Sequence, residues 1–179
     1  MKRIAIVACA LVAAVLIAVP FAGAATRRAG TANQTASGLD KEYLKSSMQG
    51  DLFEIIGGKL ALKRTKNAAV VRLAKRLVTD HSKSFSDAVK IARKLGVDVP
   101  RSPSPTEVWE LAVVRSMHGT AFDRWYSSLE VSDHIQDIDE TSDEIKDGSN
   151  KDVVNDAKKN LPVLRLHLKL ARAAVRATS

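Results

Sequence analysis

After residue 38, apolar residues recur every three to four positions, and Gly and Pro stand at the breaks between the periodic segments. This spacing is typical of amphipathic helices and not of strands, in which polar and apolar residues alternate. The pattern predicts four long helices, with one short helix between the second and the third. The long helices are predicted at Leu39 to Lys66, Asn67 to Leu95, Thr120 to Lys146 and after the segment "KDGSN", and the short one at Thr106 to Met117.

Each predicted long helix carries a stripe of the kind that faces a common core. In the first helix the stripe consists of Leu44, Met48, Leu52, Ile55 and Leu62, with Asp51 on the same face and Glu54 at its edge. In the second it consists of Val70, Leu73, Ala74, Leu77, His81, Phe85, Ala88 and Ala92. The third has Tyr126, Glu130, His134, Ile138 and Ile145, and the fourth Val153, Ala157, Leu164, His167, Ala171 and Ala174. Four such helices predict an all-α protein with a four-helix bundle over residues 39–179.

Two features indicate how the helices connect and pack. The segment "GVDVPRSPSP" breaks the chain after the second helix, and Ser104 and Glu107 then form the capping-box signature that starts the short helix. This segment and the short helix form either a crossover or a cap over one end of the bundle. Gly57 and Gly58 each cost about 1 kcal/mol of helix propensity, so we predict a close helix crossing there.

The first residues of the chain have the pattern of a bacterial export signal. Two basic residues precede an unbroken apolar run from Ile4 to Val19, and the small-residue stretch "FAGAA" follows. The A-x-A rule then places cleavage after Ala24. We therefore predict a signal peptide over residues 1–24, a flexible leader over residues 25–38, and export to the periplasm or the medium. The alternative is an uncleaved N-terminal membrane anchor, because the run is just long enough to span a bilayer.

The predicted mature chain has no cysteine and is moderately basic. The only cysteine, Cys9, lies in the predicted signal, which excludes disulfides, thiolate ligands and cysteine nucleophiles. Removal of the signal leaves 26 basic and 20 acidic residues, a net charge of +6. This balance is typical of a solvated surface with mixed charges. It also suits an envelope protein or an anionic envelope surface as a partner. Interspersed charges, few aromatic residues and export argue against nucleic acid, and membrane contact is predicted only through an uncleaved signal.

Three of the four histidines lie on the stripes of three different long helices. A buried imidazole needs a hydrogen-bond partner, a proton or a metal ion. An up-down-up-down order of helices places His81, His134 and His167 within about two helical turns of one another. Glu130 and His134 are i, i+4 neighbours and can bind one ion or each other. His118, beside a glycine at a helix end, is predicted to be a surface residue.

Two interpretations of this cluster are open. In the first, one transition metal ion of zinc, iron, manganese or copper is bound by ligands drawn from His81, His134, His167, Glu54, Asp51 and Glu130. In the second, each histidine is neutral and belongs to a polar network that fixes helix register, with in-core partners at Tyr126, Glu54 and Glu130.

The acids directly before two of the histidines, Asp80 and Asp133, are predicted not to share an inward ion with them. Adjacent positions point about 100° apart around a helix. The chain also lacks the Glu-x-x-His pairs that two helices of a di-iron bundle carry. Because no substrate pocket or general base is evident in the sequence, no enzymatic activity is predicted.

Four segments resemble landmarks of the bacterial family catalogued as domain of unknown function 4142: "GDLFEIIGGKLAL", "LVTDHSK", "GTAFDRWY…DH" and "LPVLRLHLKLA". The resemblance covers roughly Asp40 to Arg172, with the same order and spacing of the helix-borne histidines. It implies an exported protein with a ferritin-like helical bundle. The matching positions are Glu54, Asp80, His81, Phe122, Asp123, Tyr126, Asp133, His134, Leu161, Pro162 and His167.

The chain departs from that family pattern at two positions. Ile56 stands where a second glutamate usually follows the first, and Glu130 stands where an apolar residue is usual. If the family binds metal through a pair of glutamates on the first helix, this chain lacks one of them. Two hypotheses result: a non-enzymatic exported bundle, envelope-binding or stress-related, with a buried histidine and carboxylate network, or a bundle that binds one transition metal ion.

Overall fold

The computed structural model describes residues 35–179 and is all-α over that range. Its five helices are α1 (Gly38–Arg64), α2 (Ala68–Leu95), α3 (Pro105–Arg115), α4 (Gly119–Asp147) and α5 (Lys151–Thr178). The predicted helices are therefore confirmed, with ends shifted by no more than two residues. The predicted signal peptide and most of the predicted leader lie outside the described residues. Within them, no helix is long and apolar enough to cross a membrane.

Side-chain caps explain where the helices begin. Ser37 caps α1 and Ser104 caps α3, each in a capping box completed by an acid three residues later. Asn67 and Asn150 accept backbone hydrogen bonds at the starts of α2 and α5. Gly96 ends α2 with a φ of 68°, a left-handed conformation that favours glycine. These local signals account for the accuracy of the predicted boundaries.

Contacts between the helices set their directions. The Tyr43 hydroxyl near the start of α1 lies 3.4 Å from the Thr141 hydroxyl near the end of α4. Lys94 near the end of α2 donates to Asp152 at the start of α5, at 2.6 Å. α1 is thus antiparallel to α4, and α2 to α5. Because α1 and α2 also form an antiparallel hairpin, the order is up-down-down-up, and the expected up-down-up-down order is wrong.

The reversal is produced by the segment 96–104 together with α3, which runs along the second half of α1. A Cβ added at Gly50 would lie 3.8 Å from a carboxylate oxygen of Glu107 at the start of α3. At the other end, the Arg64 guanidinium donates to the carbonyl of Arg115 at 2.6 Å. α3 therefore runs parallel to α1. Of the two alternatives for the proline-rich segment, the crossover is the one that forms.

Two apolar clusters fill the bundle, one at each end. The cluster at the end where α1 begins contains Tyr43, Leu44, Met48, Ala88, Ala92, Val153 and Ala157. The cluster at the opposite end contains Ala61, Val70, Leu73, Ala74, Leu77, Val114, Phe122, Tyr126, Ala171 and Ala174. Between them lies a layer of buried polar side chains that holds the three predicted histidines.

The stripe predicted for the first helix is wrong in part. Leu62 is 37% exposed, and Leu52 and Ile55 are only half-buried. Phe53 and Ala61, which were not predicted, are fully buried instead. The reason is that α1 packs against α2, α3 and α4, so a wider and rotated arc of its surface is covered. The stripe predicted for the fourth long helix is buried along its whole length.

The close helix crossing predicted at the glycine pair is confirmed at Gly58. A Cβ there would lie 2.7 Å from Cγ2 of Val78 and 3.1 Å from the carbonyl oxygen of Ala74. Gly57 is different, because a Cβ at that position meets its neighbours at ordinary contact distances of 3.5 Å or more. Only Gly58 is required for the approach of α1 to α2.

We therefore predict opposite effects for alanine at the two glycines. Gly58→Ala forces α2 away from α1 and lowers the free energy of unfolding by about 1–3 kcal/mol, the usual cost of overpacking. Gly57→Ala raises it by up to about 1 kcal/mol through helix propensity. Urea denaturation of the two variants and the parent measures both changes. Equal destabilisation by both substitutions would contradict the assigned crossing.

Candidate metal centre

His81 on α2, His134 on α4 and His167 on α5 meet in the polar layer. Their exposed fractions are 4%, 0% and 0%. The ring centroids lie 5.0 to 5.7 Å apart, and one ring nitrogen of each histidine lies within 4.8 Å of the corresponding nitrogens of the other two. The predicted proximity of the three histidines is confirmed.

One nitrogen of each imidazole is anchored by a hydrogen bond of 2.8 Å. His81 Nδ1 donates to Asp51, and His167 Nε2 donates to Asp80. His134 Nδ1 donates to the backbone carbonyl of Glu130, one turn earlier on α4. Carbonyl and carboxylate oxygens accept hydrogen bonds, so these three nitrogens carry the ring protons.

The remaining nitrogens, Nε2 of His81, Nε2 of His134 and Nδ1 of His167, are buried without a hydrogen-bond partner. Each presents a lone pair, and leaving a buried acceptor unpaired costs about 1–3 kcal/mol. Metal-binding histidines have this same arrangement, with the outer N–H held by a carboxylate or carbonyl and the inner nitrogen free to bind.

Burial keeps two of the imidazoles, those of His134 and His167, neutral. Burial first, and then the charges of His81 and His167, lower the pKa of His134 well below its ordinary value. Burial, followed by the charge of His81, lowers the pKa of His167 to about 4. Both residues therefore keep a lone pair available at neutral pH, as metal ligation requires.

The two aspartates act as partners of histidine nitrogens. Asp51, a predicted ligand candidate, lies at the outer nitrogen of His81, and burial raises its pKa while the bond from His81 opposes that effect. Asp80 contacts His167 on a neighbouring helix, and Arg76 one turn earlier donates to the same carboxylate. Sequence reasoning excluded Asp80 as an ion ligand and missed this orienting role. The i, i+4 spacing of Arg76 and Asp80 indicated only their own ion pair on α2, and the sequence carried no signal for the contact with α5.

Glu54 and Glu130 lie on the other side of His134. Their nearest oxygens are 3.5 and 3.8 Å from His134 Nδ1, and both side chains are at most 1% exposed. Burial, followed by repulsion from Glu130 and Asp133, raises the pKa of Glu54 well above its ordinary value. Burial likewise raises the pKa of Glu130 to about 8 and that of Asp133 to about 6.

The histidine set and the carboxylate set have one residue in common, His134, among the groupings of possible metal ligands in residues 35–179. A cavity of about 270 Å³ reaches the histidine side, where its walls include Asp51, Asp80, His81 and His167. A second cavity, of about 540 Å³, reaches the carboxylate side at Asp133. His118 is exposed at the start of α4, as predicted, and belongs to neither set.

Comparisons with known proteins agree with the helical architecture. The family described as "Domain of unknown function (DUF4142)" matches residues 25–174. A solved structure with a similar fold is the crystal structure of a DUF305 fragment from Deinococcus radiodurans, with a TM-score of 0.69 and 13% sequence identity. The similarity covers 79% of this chain and 97% of that fragment. No curated protein matches the chain.

The hydrogen bonds predict a specific set of imidazole tautomers in the metal-free protein. We expect the proton on Nδ1 of His81 and His134 but on Nε2 of His167, and we expect His134 and His167 to stay neutral down to about pH 5 because burial lowers their pKa values. Long-range ¹H–¹⁵N correlation spectra report both properties. A proton on any of the three inner nitrogens at neutral pH would contradict the arrangement.

Proposed function

Because the chain belongs to the DUF4142 family, whose function is unknown, we infer the function from the site, and we propose that the protein binds one transition metal ion through His81, His134 and His167. Two observations carry this proposal: each of the three histidines has one buried imidazole nitrogen without a hydrogen-bond partner, and one nitrogen of each lies within 4.8 Å of those of the other two. Imidazole nitrogens suit zinc, copper and iron, and manganese is the harder alternative. An ion held by three protein ligands keeps a coordination position for a further ligand.

The competing function is a purely structural polar network. A network stabilises a buried layer when every member is satisfied, and a partly satisfied network is worse than an apolar core. Here the outer nitrogens are satisfied and the inner ones are not. A metal ion would satisfy all three inner nitrogens at once, which favours the metal-binding function over the network.

We further propose that the protein is a ferritin-like bundle that acts outside the cytoplasm. The single long crossover between α2 and α4 supports the ferritin-like assignment, because that fold uses one such connection. The signal-like residues 1–24 support export to the periplasm or medium. The predicted mature chain has no cysteine, so its nitrogen and oxygen donors are suited to an oxidising compartment. A metal-binding role in the envelope requires these ligands and no catalytic group.

Metal content tests the proposal directly. The mature chain, purified without a histidine tag, is expected to contain close to one metal ion per chain by elemental mass spectrometry, and a chelator is expected to lower its melting temperature. His81→Ala should abolish both the metal content and the effect of the chelator. His118→Ala is the matched control and should change neither. A chain that takes up no added zinc, copper, iron or manganese would leave only the structural network.

The partner of His167 provides a second prediction. Asp80→Ala removes the acceptor that orients this imidazole and should weaken metal affinity about 10- to 100-fold without unfolding the bundle. Asp87→Ala, which removes an acid on the same helix paired only with surface lysines, should leave the affinity unchanged. Competition with a chromophoric chelator measures both dissociation constants. Equal affinities for the two variants would show that Asp80 does not support a ligand.

A further inference from the structure

The histidine site does not explain why two glutamate side chains are buried beside it. Glu54 on α1 and Glu130 on α4 are 0% and 1% exposed, and none of their four carboxylate oxygens has a hydrogen-bond partner. Within residues 35–179, no lysine or arginine forms an ion pair with either side chain. Burying an unpaired carboxylate is strongly unfavourable, so each of these acids is neutralised either by a proton, as the raised pKa values of Glu54 and Glu130 indicate, or by a cation.

The nearby polar groups add oxygen atoms and no cation. The Tyr126 hydroxyl, one turn before Glu130 on α4, is buried and also without a partner. Asp133 interacts with Glu54, and its Oδ2 atom is buried and unpartnered. The His134 Nδ1 proton beside the two glutamates is already donated to the Glu130 carbonyl. Unpartnered oxygens of Glu54, Glu130, Asp133 and Tyr126 thus lie in the same polar layer, and a carboxylate oxygen of each glutamate lies within 4.8 Å of the other and of a nitrogen of His134.

Gly57 on α1 keeps space open beside these oxygens. It lies one turn after Glu54, and a Cβ added there would lie 3.5 Å from the Tyr126 ring and 3.8 Å from a carboxylate oxygen of Glu130. Any longer side chain at this position would occupy the volume next to the glutamates. The small residue at this position leaves room for the Tyr126 ring, for Leu111 of α3 and for the Glu130 carboxylate.

We propose that Glu54, Glu130 and Asp133 form a second cation site, beside the histidine site, for a hard divalent ion such as Mn²⁺. Carboxylate oxygens prefer ions of this class, whereas the histidine set offers nitrogen donors to a softer ion. On binding, the cation would displace the protons that the raised pKa values of Glu54 and Glu130 retain in the metal-free chain. The two sites are distinct because the proposed ligands Glu54, Glu130 and Asp133 include no histidine, and the Nδ1 atom of His134 beside the glutamates already donates to the Glu130 carbonyl. This inference does not depend on metal binding by the histidines.

The second cavity provides access to this site. Its walls include Asp133 together with two acids of the crossover helix α3, Glu107 and Glu110, and with Gln49 and Gln136. The cavity has a volume of about 540 Å³, ample for a hydrated ion. Asp133 connects this acidic opening to Glu54 in the interior. The cavity thus opens to Asp133 from the α3 side, and none of the three histidines lines it.

The test uses a protein loaded with one equivalent of Zn²⁺ and then titrated with Mn²⁺, followed by the electron paramagnetic resonance signal of free Mn²⁺. We expect one Mn²⁺ ion to bind per chain. The double variant Glu54→Gln, Glu130→Gln should lose this ion, with at least a tenfold loss of affinity, and keep its Zn²⁺. The matched control is Glu144→Gln, which alters another fully buried acid of α4 with two unpartnered oxygens and should keep both ions.

The melting temperature of the metal-free protein and one alternative variant distinguish a cation site from a structural role for the acids. The double variant replaces charges with amides of the same shape, so its metal-free form should melt no lower than the parent, whereas a structural role for the acids predicts a lower melting temperature. If the double variant fails to fold, Asp133→Asn serves in its place and should weaken Mn²⁺ binding alone.

The double variant His81→Ala, His167→Ala tests whether Mn²⁺ binding by the acids depends on the histidines. It should lose Zn²⁺ and still bind Mn²⁺, and that result would stand even if the parent bound no Zn²⁺ and the proposed function failed. Absence of Mn²⁺ binding in the parent, Mn²⁺ binding unaffected by the loss of the glutamates, or loss of Mn²⁺ together with the histidines would each overturn the second site.

Discussion

The architecture depends on one constraint, which is that polar atoms in a helical core must find partners away from water. A layer of histidines and carboxylates divides the apolar core into two clusters, one at each end of the bundle. Four long helices contribute to the layer, so its contacts tie all of them together. Helices held at both ends by apolar packing leave little freedom for the middle to rearrange, which favours a preorganised site over one formed on binding.

The helices, their caps and the three inward histidines could be predicted from periodicity, because burial on one face repeats every three to four residues. The topology could not be predicted in this way. The direction of α4 depends on how α3 packs along α1, and this packing is a tertiary contact that periodicity does not report. The histidines were nevertheless expected at similar heights, and the error had little effect. His134 lies at the middle of α4, so reversing that helix leaves its height unchanged. His167 lies close to the middle of α5, so reversal moves it by about 8 Å, between one and two turns.

The parts of the site that escaped prediction involve contacts between helices. Asp80 was judged by its own helix face, although its carboxylate bonds to His167 on α5. Glu54, Asp51 and Glu130 were predicted as candidate metal ligands because they lie on or beside the inward faces of their helices. In the structure Glu54 and Glu130 group with His134 alone, while Asp51 lies at the outer side of His81. Periodicity predicts which face is buried, but the pairing of atoms across that face depends on helix rotation, which the contact of Gly58 with α2 helps to set.

A buried carboxylate at the end of the bundle near the start of α1 provides a comparison for the buried acids of the middle layer. Asp40 accepts hydrogen bonds from the backbone and hydroxyl groups of Ser37 and Ser149 and from the backbone of Asn150. Burial opposes ionisation of Asp40, but these bonds prevail and lower its pKa well below the ordinary value. Here a buried carboxylate is ionised and fully satisfied by protein groups. Glu54 and Glu130 are equally buried without such donors and, unlike Glu144, they lie together beside His134. That grouping is the reason to propose a cation as their partner.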